Sequence, residues 1–284
     1  MDTFKFSKES CPYCHSVAEF DFSIHERQFF HCRSCDLIFK GNLQSETDKH
    51  LIQYFQHDYF SEYAHDQLSG SRNAIYSHIL DLIGKETPVG KLLDVGCGCG
   101  FFLKEARNRG WDVAGVDPSE ESIAYADKLL GANIARRGTL EDLSQEEVYD
   151  VITMINVLDH SLEPWSDVQK AKTILKGGGL IFLRLPNGTV HSTFEKISKQ
   201  FKSECLVEKY LIFAEYSFTP RFIRRLLSDS GYRNIIINNA TLSGGTLFNP
   251  LFTKMVGITA DALYIISGGK IILSPSLEVM AWRD

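Results

Sequence analysis

The chain has 284 residues, 44% hydrophobic and 23% charged, with a formal net charge of -6. That length admits one α/β domain with a small appendage, or two compact domains, and a sizeable core. The composition excludes collagenous, low-complexity and disordered chains, the acidic balance counts against a strongly basic nucleic-acid binder, and seven cysteines are too few for a disulfide scaffold.

The first ten residues hold no apolar stretch of the signal-peptide kind. No run of about 18 apolar residues occurs, so no membrane span is expected. The most apolar late stretch, 258–273, is broken by Asp261, Ser267, Gly268, Gly269 and Lys270. The expected compartment is the cytoplasm, where thiols stay reduced and paired cysteines serve as metal ligands.

Two CxxC pairs open the chain, Cys11 with Cys14 and Cys32 with Cys35, separated by 17 residues. This spacing reads as a four-cysteine zinc site, each pair presenting two thiolates on a tight turn. Strands are expected at 27–31 and 37–40. About forty residues bury too little surface to fold unaided, so metal would supply the folding energy. Four protein ligands leave no open position, which makes the zinc structural. His15, His25 and His31 lie nearby and are read as surface residues.

Residues 42–87 look helical. Tyr54, Phe55, Tyr59, Phe60 and Tyr63 form an aromatic cluster there, either a packed helix face or a lid over a ligand. Apolar residues at 75, 79, 82 and 83 suit an amphipathic helix over 71–83, and 87–90 reads as a loop at a domain boundary.

Strand and helix then alternate. Strands are predicted at 92–95, 111–116, 149–155 and 180–185, with helices at 101–109, 119–130 and 165–175. Thr219 caps a helix that starts at Pro220 and runs to Asp229. Segments 232–238 and 277–282 read as late antiparallel strands. The pattern predicts an α/β fold with a mostly parallel sheet and helices on both faces.

The first strand runs into Asp94-Val-Gly96-Cys-Gly98-Cys-Gly100. Ligands bind at the carboxyl ends of strands in such sheets, and glycines let backbone approach them. The spacing departs from the dinucleotide GxGxxG pattern. An acidic residue before the first glycine suits a cationic or amino-bearing ligand. Asp117 ends the second strand, where a carboxylate can accept both ribose hydroxyls. Cys97 and Cys99 are read as filling a crowded turn.

LLDVGCGCGFF followed by VAGVDPS resembles the class I S-adenosylmethionine-dependent methyltransferases. The resemblance continues through RGTLEDL, YDVITMINVLDHSLEPW and LKGGGLIFLRLPN, over residues 91–240. It is similar to the ubiquinone-biosynthesis and sugar methyltransferases, whose Leu-Glu-His and Asp-Pro elements read Leu158-Asp159-His160 and Glu163-Pro164 here. It implies a Rossmann-like sheet with an antiparallel last strand. It also implies that Asp94, Gly96, Gly98 and Gly100 approach the methionine moiety, that Asp117 holds the ribose, that Thr139, Leu140 and Glu141 lie along the adenine, and that Asn156 sits beside the sulfonium. The paired cysteines joined to such a domain also resemble bacterial methyltransferases that include zinc-containing sugar C-methyltransferases. That implies the architecture and leaves the substrate open.

The domain organisation expected is a zinc module at 1–41, a helical connector or lid at 42–90, and a cofactor-binding core at 91–240 with an acceptor-covering insertion at 186–218. A helical segment and last strand follow at 241–284. A sulfonium methyl is already activated, so the enzyme mainly aligns it with a nucleophile. His160 is the candidate general base, because it follows the fourth-strand loop and imidazole titrates near neutral pH. His191, Glu215 and Tyr216 are weaker acceptor-side candidates. Asn156-Val-Leu-Asp159 does not match the Asn/Asp-Pro-Pro-Tyr of base-amine methylases, which favours an oxygen or carbon acceptor. Three functions stand: a small-molecule methyltransferase acting on a sugar, polysaccharide precursor or secondary metabolite; an RNA methyltransferase holding RNA with its zinc module; and a binding protein that kept the fold. Arg221, Arg224, Arg225 and the stretch 196–202 give local positive charge for the second, against the net charge of -6. Cys205 has no role in this reading.

Overall fold

The computed structural model describes residues 8–24, 27–41, 68, 70, 72–131, 133–144, 146, 148–200, 215–241 and 250–284. The aromatic cluster at 54–63, His25 and Cys205 lie outside these residues.

Strands β1 (Lys8–Ser10), β2 (Val17–Ile24), β3 (Arg27–His31) and β4 (Leu37–Lys40) form an antiparallel meander. The two strands expected around the second cysteine pair have the predicted bounds. Each CxxC pair occupies a turn of the same design. His15 donates its N–H to the Cys11 carbonyl at 2.9 Å, and Asp36 donates to the Cys32 carbonyl at 2.7 Å. Both His15 and Asp36 have positive φ, 59° and 72°, which turns the chain back after the second cysteine.

Helix α1 (Asn73–Glu86) buries Ile75, Ile79, Leu80 and Ile83; the predicted positions 75, 79 and 83 are in the core, while Leu82 is half-buried and Leu80 takes the fourth buried place. The chain then alternates through β5 (Lys91–Val95), α2 (Phe101–Asn108), β6 (Asp112–Asp117), α3 (Glu120–Leu130), β7 (Ala135–Arg137), β8 (Tyr149–Ile155), α4 (Pro164–Ile174), β9 (Leu175–Pro186) and α5 (Gly188–Gln200). It ends with β10 (Tyr216–Phe218), α6 (Pro220–Asp229), β11 (Tyr232–Asn239), α7 (Pro250–Ile266) and β12 (Ser276–Arg283).

Seven strands make the central sheet in the order β11-β12-β9-β8-β5-β6-β7. The pairs from β7 to β9 are parallel, and β12 is antiparallel to both of its neighbours. The architecture is the Rossmann-like α/β fold with an antiparallel strand towards one end. Val151, Ile152, Leu180, Ile181, Phe182 and Leu183 are fully buried, as parallel strands covered on both faces require. The caps predicted for α3 and α6 form. Ser119 Oγ accepts the Ser122 N–H at 3.2 Å, and Thr219 Oγ1 accepts the Phe222 N–H at 3.1 Å.

Strand β10 does not join the central sheet. It pairs with β4, setting Tyr216 opposite Phe39 and Phe218 opposite Leu37. The cysteine module is fastened to the larger layer at further points. Tyr13, inside the first pair, stacks edge-on against Phe222 at 5.1 Å and contacts Trp165 at 5.8 Å. Thr219 Oγ1 donates to Asp36 Oδ2 at 2.8 Å, and Arg225 Nη1 donates to the Ser34 carbonyl at 2.9 Å. Lys40 pairs with Glu215 at 3.0 Å. Among the described residues no helix is long and apolar enough to cross a membrane.

Candidate functional site

One cavity of about 630 Å³ opens at the carboxyl ends of β5, β6 and β8, a size suited to a small-molecule ligand. Asp94, Gly96, Gly98, Asp117, Thr139, Leu140, Glu141, Asn156 and His160 all line it. Residues distant in sequence, each read from a motif, thus share one space.

The glycine turn is held by backbone hydrogen bonds. Gly96 and Cys97 both donate to the Val116 carbonyl, at 2.8 and 3.1 Å. Gly96 has φ 69°, and a Cβ there would lie 2.3 Å from Val157 Cγ2. Only glycine lets the loop after β8 close onto this turn. Gly100 is the predicted member that does not line the cavity. It precedes α2 with φ 79°, and a Cβ would meet Leu130 Cδ1 at 2.8 Å. Its role is close packing of α2 against α3.

Asp117 does more than end a strand. Its Oδ2 accepts the Gly98 N–H at 2.9 Å, and its Oδ1 accepts the Ser119 N–H at 2.9 Å. A carboxylate oxygen has capacity beyond one bond, so Asp117 can shape the turn and still face a ligand. Burial pushes its carboxyl above the usual range against these two backbone donors. Asp94 is deeper, 3% exposed, and accepts from Thr153 Oγ1 at 2.6 Å. Burial pushes Asp94 up to about 7, with Thr153 opposing and the Asp117 charge adding to the rise. A buried carboxyl poised near neutrality is suited to pair with a cation entering the cavity.

Thr139 begins a short 3₁₀ turn, with its N–H and Oγ1 both bonded to Asp142 Oδ2, at 2.7 and 3.1 Å. Asn156 leaves β8 in the left-handed region, φ 56°, and donates its N–H to the Arg184 carbonyl at 2.8 Å. His160 sits in the next 3₁₀ turn, its Nε2 3.5 Å from Asp159 Oδ2.

Arg72 and Tyr76 also line the cavity, and the sequence reading missed both. They come from the start of α1, outside the alternating core, and only the packing of α1 on α2 brings them there. The candidates His191, Glu215 and Tyr216 are absent from the lining. His191 is buried on α5, Glu215 pairs with Lys40, and Tyr216 donates its hydroxyl to the Leu162 carbonyl at 3.0 Å.

Cys97 and Cys99 are buried in the turn as expected. A Cβ on Gly115 would lie 2.7 Å from Cys97 Sγ, a measure of the crowding. Burial pushes Cys97 well up and Cys99 up to about 11, so neither is set up as a thiolate nucleophile.

The second candidate site is the cysteine cluster. The sulfurs of Cys11, Cys14, Cys32 and Cys35 lie within 4.8 Å of one another, Cys11 to Cys35 at 3.6 Å and Cys14 to Cys32 at 3.4 Å. A tetrahedral ZnS₄ site has sulfur–sulfur edges of about 3.8 Å. The four thiols fit that group, and all are buried or nearly so.

A family model described as a methyltransferase domain matches residues 55–236, well over half of the chain. A ubiquinone biosynthesis O-methyltransferase from Acinetobacter baylyi is 34% identical over 122 residues, covering 40% of this chain and 49% of that protein. The chain spans about half the length of the curated relatives it matches. Among solved structures, a magnesium protoporphyrin IX methyltransferase from Synechocystis PCC 6803 aligns with TM-score 0.57 at 17% identity, covering 84% of this chain and all of that one. A methyltransferase from Archaeoglobus fulgidus aligns with TM-score 0.53 at 16% identity, covering 79% of this chain and all of that one. At these identities the structures speak for the fold.

Proposed function

The chain belongs to the methyltransferase domain family, and from that premise we propose that it transfers a methyl group from S-adenosylmethionine to an oxygen of a small molecule. The observation that carries the reading is the convergence of Asp94, the glycine turn, Asp117 and His160 on one cavity. Its charge supports the same ligand. Asp94, Asp117, Glu141, Glu163 and Asp167 line it together with Arg72. A ligand carrying a sulfonium, an ammonium and one carboxylate complements that set.

When bound, S-adenosylmethionine supplies a methyl already activated on a sulfonium. The residues of this chain bind, orient and exclude water. Asp94 faces the positive charge, Gly96 and Gly98 let the backbone approach, and Asp117 accepts the ribose hydroxyls. Thr139, Leu140 and Glu141 flank the adenine, Arg72 offers a partner for the carboxylate, and Asn156 borders the reacting centre. His160 takes the proton of the acceptor hydroxyl. Alignment of this kind contributes roughly 7–11 kcal/mol to a lowered barrier.

Support for oxygen comes from relatives named O-methyltransferases and from Asn156-Val-Leu-Asp159, which lacks the prolines of a base-amine site. The acceptor class is the hydroxyl of a sugar, polysaccharide precursor or secondary metabolite. The four cysteines hold structural zinc, with no ligand position left for chemistry.

The test uses methyl-labelled S-adenosylmethionine with hydroxylated sugars and phenols. Label should appear on an acceptor oxygen and be lost in His160→Ala, with S-adenosylhomocysteine binding retained. Label recovered on nitrogen, or transfer undiminished in His160→Ala, contradicts the reading.

A further inference from the structure

Arg184 and Glu278 form a buried ion pair outside the cavity. They are register partners on β9 and β12, 6% and 2% exposed, with Nη1 2.6 Å from Oε1. Such a pair is weak evidence for stability, because desolvating both charges offsets much of their attraction. Its further bonds reach three segments beside the cavity. Arg184 Nη2 donates to the Thr241 carbonyl at 2.9 Å, and Glu278 Oε1 accepts the Thr241 N–H at 3.3 Å. The Arg184 carbonyl accepts the N–H of Asn156, a cavity residue. Glu278 Oε2 lies 3.2 Å from His78 Nε2 on α1. A carboxylate only accepts, so Nε2 is the donor.

Helix α1 brings Arg72 and Tyr76 to the cavity wall. The Tyr76 N–H donates to the Arg72 carbonyl at 3.0 Å, so the two move as one turn. The buried Ile75, Ile79, Leu80 and Ile83 hold the helix by a force without direction. Two polar ties add direction. Arg109, at the end of α2, donates to Ser77 Oγ at 2.5 Å, and Glu278 accepts from His78. Ser77 and His78 are consecutive, so they point about 100° apart around the helix. Gripped from two sides, α1 cannot rotate about its axis without breaking a tie. Such a rotation would carry Arg72 and Tyr76 along the cavity wall.

We propose that Glu278, held in place by Arg184, is a positioning residue for the cofactor's amino-acid end. Through His78 it fixes the rotation of α1, and with it the place of Arg72 and Tyr76 at the cavity wall. The same pair holds both backbone groups of Thr241, so one buried unit aligns α1 and the end of β11 with the carboxyl end of β9. Neither Arg184 nor Glu278 touches the ligand; both act through α1. This inference rests on the assignment of the cavity to S-adenosylmethionine and of Arg72 to its carboxylate.

The test is calorimetric titration of the full chain with two ligands. S-adenosylhomocysteine carries the amino-acid carboxylate. 5′-Methylthioadenosine keeps the adenosine and the sulfur and lacks that end. His78→Leu removes the donor at a partly exposed position. It should weaken S-adenosylhomocysteine by at least about fivefold and leave methylthioadenosine within about twofold. His78→Gln, whose amide can donate to Glu278, should restore S-adenosylhomocysteine binding. Arg184→Met combined with Glu278→Leu removes both buried charges at similar volume and should reproduce the split between the ligands. Undiminished S-adenosylhomocysteine binding in His78→Leu, or equal loss of both ligands, overturns the proposal. The His78 variants decide it even if the double variant does not fold. A wild-type chain that binds neither ligand would instead overturn the cavity assignment itself.

Discussion

The chain uses cysteine in two regions, with opposite results. In the N-terminal knuckles four thiols face one another, with sulfur contacts of 3.4 and 3.6 Å. There the Cys35 thiol pulls Cys11 below the ordinary thiol range, while Cys11 in turn pushes Cys35 up and burial pushes Cys32 up. In the glycine turn Cys97 and Cys99 are also buried, but burial and the Asp94 and Asp117 carboxylates hold Cys97 protonated. In each CxxC turn two residues separate the cysteines and a left-handed residue after the second turns the chain back, whereas in the turn between β5 and α2 a single left-handed glycine separates Cys97 from Cys99. The difference teaches that spacing and local charge, more than residue type, decide whether a thiol binds metal or fills space.

The largest expected effect tests the knuckles. Dialysed protein should retain one equivalent of zinc. Cys11→Ser with a chelator should strip hydrogen-exchange protection from β1 to β4, since structural zinc contributes on the order of 10 kcal/mol to small modules. Cys97→Ala should leave the zinc content unchanged. Equal metal loss in the two variants would erase the distinction between the regions.

A smaller effect concerns the turn's carboxylates. Asp94 is raised to about 7 from an ordinary 3.8. Between these values the folded form binds more protons than the unfolded form, so this group's contribution to stability falls as pH rises. Asn cannot ionise. Without cofactor, Asp94→Asn should melt above wild type at about pH 8 and level with it only at about pH 3, below the ordinary carboxyl value. Parallel melting curves across that range would remove Asp94 as a poised group.

The smallest effect is at the join between the regions. Tyr216→Phe keeps the ring against Trp165 and loses the bond to the Leu162 carbonyl. It should cost about 1 kcal/mol in urea unfolding and raise exchange in 158–167 before that in β5. Uniform loss of protection would mean that the module does not brace this wall of the cavity.

Much of this was legible in the residues. The strands at 27–31, 37–40 and 149–155 and the Thr219-capped helix have the bounds that periodicity and capping predicted. Local signals sufficed there because the local preference and the final packing agree. β7 is only three residues long and gave no period to detect. The pairing of β10 with β4 joins residues far apart in the chain, which no window of sequence contains. In the site, Asp94, Asp117 and the glycines announced themselves by position on strand and turn. Arg72 and Tyr76 did not, because their place depends on how α1 packs. Arg184 and Glu278 gave no signal, because their bonds to Thr241 and His78 appear only in three dimensions.

The most direct test of the central claim is calorimetric titration of the full chain with S-adenosylhomocysteine, wild type against Asp117→Ala. Charge-assisted bonds of the kind Asp117 can make are worth about 1.5–3 kcal/mol, so the variant should bind more than about tenfold more weakly while keeping its zinc. No binding by the wild type, or the same affinity in both proteins, would contradict the account.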